Sequence, residues 1–168
     1  MYKVFQIKLD KEVKDFVNSN DRGHLGGEEK YPQYKAHMAV MRGAEHFTGD
    51  MFEHYSNVCN VAKEGGLKKG VEPFVLDNLE EVFKILNGYY FDEDTGEDVV
   101  FDHHVSGYKM KTFERDGQTH EYRDMHSLSV GDIVHDVDKD TYNIVDSFGF
   151  KDVTAEIIAG MSFDKLEA

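Results

Sequence analysis

The sequence predicts an α+β fold in which an antiparallel sheet, with a β-rich C-terminal half, packs against two or three short helices. Three observations predict it: an alternating strand opens the chain, an amphipathic helix lies near its middle, and two hairpin signals follow. With 168 residues, 40% of them apolar, the chain can bury one core. A single domain over 1–168 is expected, with a mixed α/β part over about 1–90 and a β-hairpin part over about 91–155.

The first half alternates strands and helices. Residues 3–9 alternate apolar and polar side chains, which indicates a half-buried strand, and Asp10 can cap a helix that runs to residue 18. Residues 34–41 also alternate, so a strand is predicted there, although two methionines in this segment would equally suit a helix. The other elements of this half are a short helix over 47–55 and a strand over 57–62.

The helix at 79–86 is specified by its apolar face and by its start. Its apolar residues recur at the i, i+3, i+4, i+7 spacing of one helical stripe. Asn78 and Glu81 have the spacing of a capping box, and Asp77 places negative charge at the positive end of the helix dipole.

Two hairpins account for the β-rich second half. Asp116 and Gly117 separate two alternating segments, 109–113 and 119–123, and glycine accepts the positive φ that a tight turn needs. The second hairpin is predicted to join 133–137 and 142–145 through the turn 138–140.

Charge narrows the range of partners. The formal net charge is -14, and residues 1–84 contribute a net of -2 while residues 85–168 contribute -12. A field of this sign repels phosphates and anionic lipid, which disfavours direct binding to nucleic acid or a membrane. A protein partner with a basic surface, or plain solubility, is what remains, and a weak homodimer is left open.

Cysteine usage and hydropathy indicate the compartment. One cysteine, Cys59, excludes an internal disulfide and suits a reducing environment, and its place in a predicted strand indicates a small buried core residue. The first residues alternate rather than form a signal-peptide core, and no stretch approaches about 20 apolar residues. A cytoplasmic location is expected.

Acidic residues of the second half form the candidate partner-binding surface. If they follow one ridge, they would imitate the phosphates of DNA, and this mimicry is kept as an alternative to plain solubility. The candidate residues are Asp92, Asp94, Asp98, Asp102, Asp136, Asp138 and Asp140.

No metal or cofactor is predicted. Counted as a calcium loop from Asp136, the glycine position holds Thr141 and the bidentate position holds Ser147, so an EF-hand is disfavoured. Nine histidines are present, but His103 and His104 are adjacent and would point to opposite faces of a strand.

No catalytic motif is found, so the protein is not expected to be an enzyme. Cys59 has no neighbouring histidine, and the segment 127–131 lacks the glycine that precedes the serine of a nucleophile elbow. The alternative is a small-molecule or nucleotide-binding protein, or a small hydrolase, with a pocket between the helix 79–86 and the second-half sheet. Its candidate polar groups are His126, Ser127, Ser129 and Asp132.

The segments 125–134 (MHSLSVGDIV) and 142–150 (YNIVDSFGF) resemble the signature of small YodL-like domains of bacteriophages and other mobile elements. Upstream, Tyr31-Pro32 and the segment 78–87 are similar to blocks that precede this signature. The resemblance implies a phage accessory context and no reaction. In the signature, the turn at Gly131-Asp132 and a return of Phe148 and Phe150 to the core are expected.

These observations lead to one principal hypothesis. The chain is expected to be an acidic phage-type accessory protein that binds and inhibits or redirects a host protein in the host cytoplasm. An anti-defence factor, acting against CRISPR or restriction systems, is one form that this activity would take.

Overall fold

A computed structural model of the protein describes residues 1–19, 23–64, 78–89, 94–95 and 99–160. The predicted α+β class is confirmed, because short helices accompany an antiparallel sheet. The helices are α1 (Lys11–Ser19), α2 (His24–Lys30), α3 (Pro32–Met41), α4 (Leu79–Leu86), α5 (Val99–His104) and α6 (Thr154–Gly160), with 3₁₀ helices at Ala44–His46 and Gly49–His54. The strands are β1 (Tyr2–Ile7), β2 (Tyr55–Val61), β3 (Val105–Ser106), β4 (Met110–Arg115), β5 (Gln118–Arg123), β6 (Ile133–Asp136), β7 (Thr141–Val145) and β8 (Phe150–Asp152).

The strands form two sheets. The larger has the order β3-β2-β1-β6-β7-β8, and β4 and β5 form a two-stranded sheet of their own. The chain divides into two compact units, each made of separate segments. Unit 1 comprises 1–5, 57–128 and 134–140, and unit 2 comprises 6–56, 129–133 and 141–168.

In unit 1, α4 has the predicted bounds, and the helix begins where the Asn78 side chain accepts a hydrogen bond from the Glu81 backbone N–H at 2.9 Å. Of the predicted stripe, Val82 and Leu86 are buried while Leu79 and Phe83 are half-buried, and Ile85, outside that stripe, is also buried. Helix α4 contacts α5, which in turn contacts β3. Other buried residues of this unit are Tyr2, Val4, Val58, Cys59, Val61, Phe101, Val105, Leu128 and Val134.

In unit 2, helices surround the buried ends of the strands. Helix α3 packs against α2 and the 3₁₀ helix Gly49–His54, and α6 packs against the same 3₁₀ helix and β7. A Cβ on Gly49 would lie 1.8 Å from the Glu156 carbonyl oxygen, so this close approach requires glycine. Buried apolar residues of this unit include Ile7, Val13, Tyr34, Val40, Phe47, Tyr55, Ile133, Ile144 and Ile157.

The strand predicted over 34–41 is wrong, because the structure has helix α3 there. Pro32 occupies the first helical position, where its missing N–H costs nothing, and the extended Tyr31 precedes it as the N-cap. Three apolar residues of the alternating pattern, Tyr34, Ala36 and Val40, are nevertheless all buried in the helix. The sequence of this segment fitted both the period of a strand and the period of a helix, and burial in the folded protein selected the helix.

The first hairpin is confirmed in position and turn. Strands β4 and β5 pair antiparallel from Met110↔Arg123 to Arg115↔Gln118. Asp116 and Gly117 both have positive φ, of 52° and 73°, as the favoured two-residue hairpin turn requires.

The expected return of Phe148 to the core is wrong. Phe148 is 96% exposed at the tip of the β7–β8 turn, in which the Asp146 backbone N–H donates to the Gly149 carbonyl at 2.9 Å. Phe150, two residues later, begins β8 and is half-buried.

Candidate partner-binding site

The acidic turn predicted as part of the binding surface contains a buried carboxylate. Asp136 is only 4% exposed, so its assignment to the surface is wrong. It accepts hydrogen bonds from Lys63 Nζ at 2.9 Å and from the backbone N–H groups of Asp138 and Lys139. Burial opposes ionisation of Asp136, but these hydrogen bonds outweigh it and hold the pKa of Asp136 below its ordinary value. The Asp136 carboxylate thus stabilises the turn that follows it by accepting hydrogen bonds from the backbone of that turn.

The two other carboxylates of this turn are exposed but paired. Asp138 lies 3.0 Å from Lys63 Nζ and 3.2 Å from the Met1 amino group, and its pKa is lowered by the Lys63 hydrogen bond above all. Asp140 lies 2.9 Å from His135 Nε2. Hydrogen bonding to Asp136 raises the pKa of Lys63 despite the opposing effect of burial. The turn 136–140 is therefore an internal ion cluster with little charge left for a partner.

The positions of the other predicted acidic residues do not show whether the carboxylates follow one ridge, as DNA mimicry requires. Asp94 is exposed. Asp92, Asp98 and the side chain of Asp102 lie outside the described part of the chain. DNA mimicry stays a prediction.

Of the four residues of the predicted pocket, the structure assigns His126 and Ser127 to unit 1, and Ser129 and Asp132 to unit 2. Asp132 is buried and accepts hydrogen bonds from the Gln6 side chain at 3.1 Å and from the Ser129 backbone N–H at 2.9 Å. Its carboxylate thus fixes the turn that the signature predicts.

His126 and Ser127 lie in a small cleft of unit 1. Its volume is about 190 Å³, and its other lining residues are Leu86, Phe101, Arg123 and Met125. Leu86 belongs to α4, the helix that was expected to line the pocket. Sites for drug-sized ligands usually occupy about 300–1,000 Å³, so this cleft suits only a small group.

A larger groove lies in unit 2, between helices α2 and α3 and the 3₁₀ helix Gly49–His54. Its volume is about 850 Å³, within the range of ligand and peptide-side-chain sites. Leu25, Pro32, Ala36 and Met51 supply apolar lining. The charged and polar lining residues are Glu28, Glu29, Lys30, Lys35, Thr48, Asp50, Glu53 and His54.

Within the groove, negative charge is the more available. Glu28 is bound by Arg42 at 2.9 Å, and the Lys30 ammonium lies over the rings of Phe16 and Tyr31 at 4.6 and 5.4 Å. The remaining carboxylates, on Glu29, Asp50 and Glu53, are all exposed. Asp50 is oriented by a hydrogen bond of 2.5 Å from the Thr48 hydroxyl. Glu53 also lies 3.5 Å from His54 Nε2, and Lys30 and Lys35 are exposed in the same lining. Carboxylates outnumber ammonium groups in the groove by four to two, and this excess beside an apolar lining suits lysine or arginine side chains.

The β4–β5 ribbon is the second exposed feature. All twelve of its strand residues are exposed. On one face Phe113 stacks on His120 at 5.1 Å between ring centroids and contacts Tyr122 at 5.8 Å. An isolated two-stranded hairpin is marginally stable at best in water, so this ribbon has little stabilising packing of its own.

Cys59 is a core residue, as predicted. It is fully buried, and burial raises the pKa of its thiol to about 12, which removes the thiolate that a nucleophile needs. Among the residues that the structure describes, no group of three or more His, Cys, Asp or Glu is placed to hold a metal ion. The helices in the described ranges include none with the length and apolar content of a membrane span.

Comparison with known proteins identifies no relative: no family model, no curated protein and no solved structure matches the chain. The resemblance to YodL-like domains stays a prediction.

The groove escaped sequence reasoning because its carboxylates are far apart in the chain. Glu28 and Glu29 directly follow the segment 18–27, whose turn-forming residues predict the end of the first helix, whereas the structure has helix α2 over His24–Lys30. Asp50 and Glu53 come from a short helix of the less acidic half. The run Glu28-Glu29-Lys30 was the sequence signal for acidic residues here. It was overlooked because the net charge of residues 1–84 is only -2.

Proposed function

We propose that this chain is a non-catalytic accessory protein that binds a host protein with a basic surface and thereby inhibits or redirects it. The phage setting, and an anti-defence role within it, rest on the resemblance of the segments 125–134 and 142–150 to YodL-like domains. The binding role is supported by one observation above all, the acidic groove of unit 2.

Groove geometry and net charge favour the same kind of partner. Exposed carboxylates on Glu29, Asp50 and Glu53 would bind ammonium or guanidinium groups, while Leu25 and Met51 would contact their aliphatic stems. A net charge of -14 would also speed the approach of a basic partner, by about tenfold or more at low salt.

Affinity capture tests the proposal. The wild-type protein and a groove variant, Glu29→Gln with Asp50→Asn and Glu53→Gln, are each incubated with bacterial lysate at physiological salt, and retained proteins are identified by mass spectrometry. The amide substitutions keep side-chain size and the Thr48 contact, so the fold should be preserved. We expect the wild type to retain a basic host protein and the groove variant to retain at least about tenfold less, since each lost charged hydrogen bond costs about 1.5–3 kcal/mol.

A matched control removes the same charge elsewhere. Glu114→Gln with Asp116→Asn and Glu121→Gln alters three exposed carboxylates of the ribbon. This variant should capture the partner as well as the wild type does. Failure of the wild type to retain any host protein, at low salt as well as physiological salt, contradicts the proposal. Equal loss in both variants assigns the effect to net charge and removes the groove from it.

A further inference from the structure

Arg123 is an exposed residue at the base of the ribbon, and its guanidinium lies over two aromatic rings. Its guanidinium carbon lies 3.7 Å from the centroid of the Phe101 ring and 5.6 Å from that of Tyr108. Stacking of this kind uses the flat face of the guanidinium and leaves its N–H edge available for a planar or tetrahedral anion. No carboxylate in the described ranges forms a salt bridge with Arg123, although the chain carries a large excess of acid.

The acidic neighbour of Arg123 is directed elsewhere. Asp124 is mostly buried, and its carboxylate lies 3.3 Å from Lys111 Nζ. This ion pair keeps the adjacent negative charge from neutralising the guanidinium. The positive charge of Arg123 is therefore available on the cleft side.

Two further polar groups line the cleft with Arg123. Ser127 is exposed and offers a hydroxyl, and the His126 ring is fixed by donating from Nδ1 to the Ser127 carbonyl at 2.7 Å. Leu86, Phe101 and Met125 supply the apolar part of the lining. A guanidinium and a hydroxyl on one small cleft are donors of the kind that bind phosphate oxygens.

We propose that this cleft binds a phosphate group, with Arg123 as the anchor and Ser127 as a second donor. The volume of about 190 Å³ holds one phosphate and not a whole nucleotide. The group would come from free inorganic phosphate or from a small phosphorylated metabolite whose remainder lies outside the cleft. The inference does not depend on the proposed function, because the groove belongs to unit 2.

Titration followed by NMR tests the site. The ¹⁵N-labelled full chain is titrated with inorganic phosphate and, separately, with adenosine monophosphate, at constant ionic strength up to about 50 mM ligand. We expect saturable chemical-shift changes of the backbone amides of residues 123–127, with a dissociation constant in the millimolar range. Equal affinity for both ligands, or binding of inorganic phosphate alone, indicates that the phosphate is the recognised group, and tighter binding of the nucleotide indicates a phosphorylated metabolite.

Variants assign the effect to the cleft. Arg123→Gln should weaken phosphate binding about tenfold, and Arg123→Lys and Ser127→Ala about threefold each, since one charged or neutral hydrogen bond is lost. Arg115→Gln removes the same charge from the distal end of β4 and should leave the affinity within about twofold. If Arg123→Gln fails to fold, Ser127→Ala still tests the site, because it removes only an exposed hydroxyl. Absence of shifts at 123–127 in the wild type, or equal weakening by Arg115→Gln, overturns the assignment.

Discussion

At the scale of single residues, Lys63 is the cation on which the turn 136–140 depends. Its ammonium contacts Asp136 at 2.9 Å and Asp138 at 3.0 Å, and it also lies 4.9 Å from the centre of the Tyr2 ring. The sequence showed the aspartates but not the lysine, because more than seventy positions separate Lys63 from them. The alternating carboxylates therefore suggested a partner-binding surface, whereas Asp136 and Asp138 form ion pairs with Lys63 that stabilise the fold.

Replacing Lys63 by methionine should lower the free energy of unfolding at neutral pH by about 1.5 kcal/mol. The substitution leaves the buried Asp136 carboxylate without its cation, and partial solvent screening of Lys63 keeps the cost below that of a fully buried pair. Urea denaturation followed by circular dichroism measures the change. Lys139→Met removes an exposed lysine of the same turn, and a loss as large as that of Lys63→Met would contradict this account.

Asp136 should also give the fold an acid-sensitive component. Its pKa is lowered in the folded protein, so its contribution is complete above the unfolded-state pKa of about 3.9 and is lost as pH falls through the lower folded-state value. Stability measured from pH 6 to pH 2 should therefore fall less steeply in Asp136→Asn than in the wild type. Parallel curves for the two proteins would show that the carboxylate does not carry this dependence.

At the scale of elements, prediction succeeded where local signals agreed and failed where burial decided. Helix α4 has its cap and bounds as expected, and the β4–β5 turn has the residues that its positive φ angles require. Helix α3 was mistaken for a strand, and α2 was not predicted, because its glycines pointed to a turn. Both of these glycines are buried, and Gly27 lies so close to Val17 and Tyr34 that a Cβ would clash.

The ribbon should be the least protected strand pair in the described chain. Strands β4 and β5 have both faces exposed, whereas Ile133, Val134, Ile144 and Val145 of β6 and β7 are buried. Native-state hydrogen exchange of the free protein should give amides of β4 and β5 that exchange on the order of a hundredfold faster than those of β6 and β7. Equal protection in the two pairs would mean that the ribbon is covered in the free protein.

At the scale of the whole molecule, the net charge of each half does not indicate where exposed carboxylates gather in the fold. The C-terminal half carries most of the net charge, yet its best-described acidic turn is paired internally. The less acidic half contributes the groove, where Glu29, Asp50 and Glu53 stay exposed. Net charge sums over residues, while the exposure of each carboxylate depends on the folded structure and is not local in sequence.

If a basic partner occupies the groove of unit 2, hydrogen exchange measured on the protein alone and on the protein saturated with its captured partner will detect it there. We expect added protection to be concentrated in α2, α3 and the 3₁₀ helix Gly49–His54 and to fade as salt is raised. Protection confined to other segments, with these three unchanged, would contradict it.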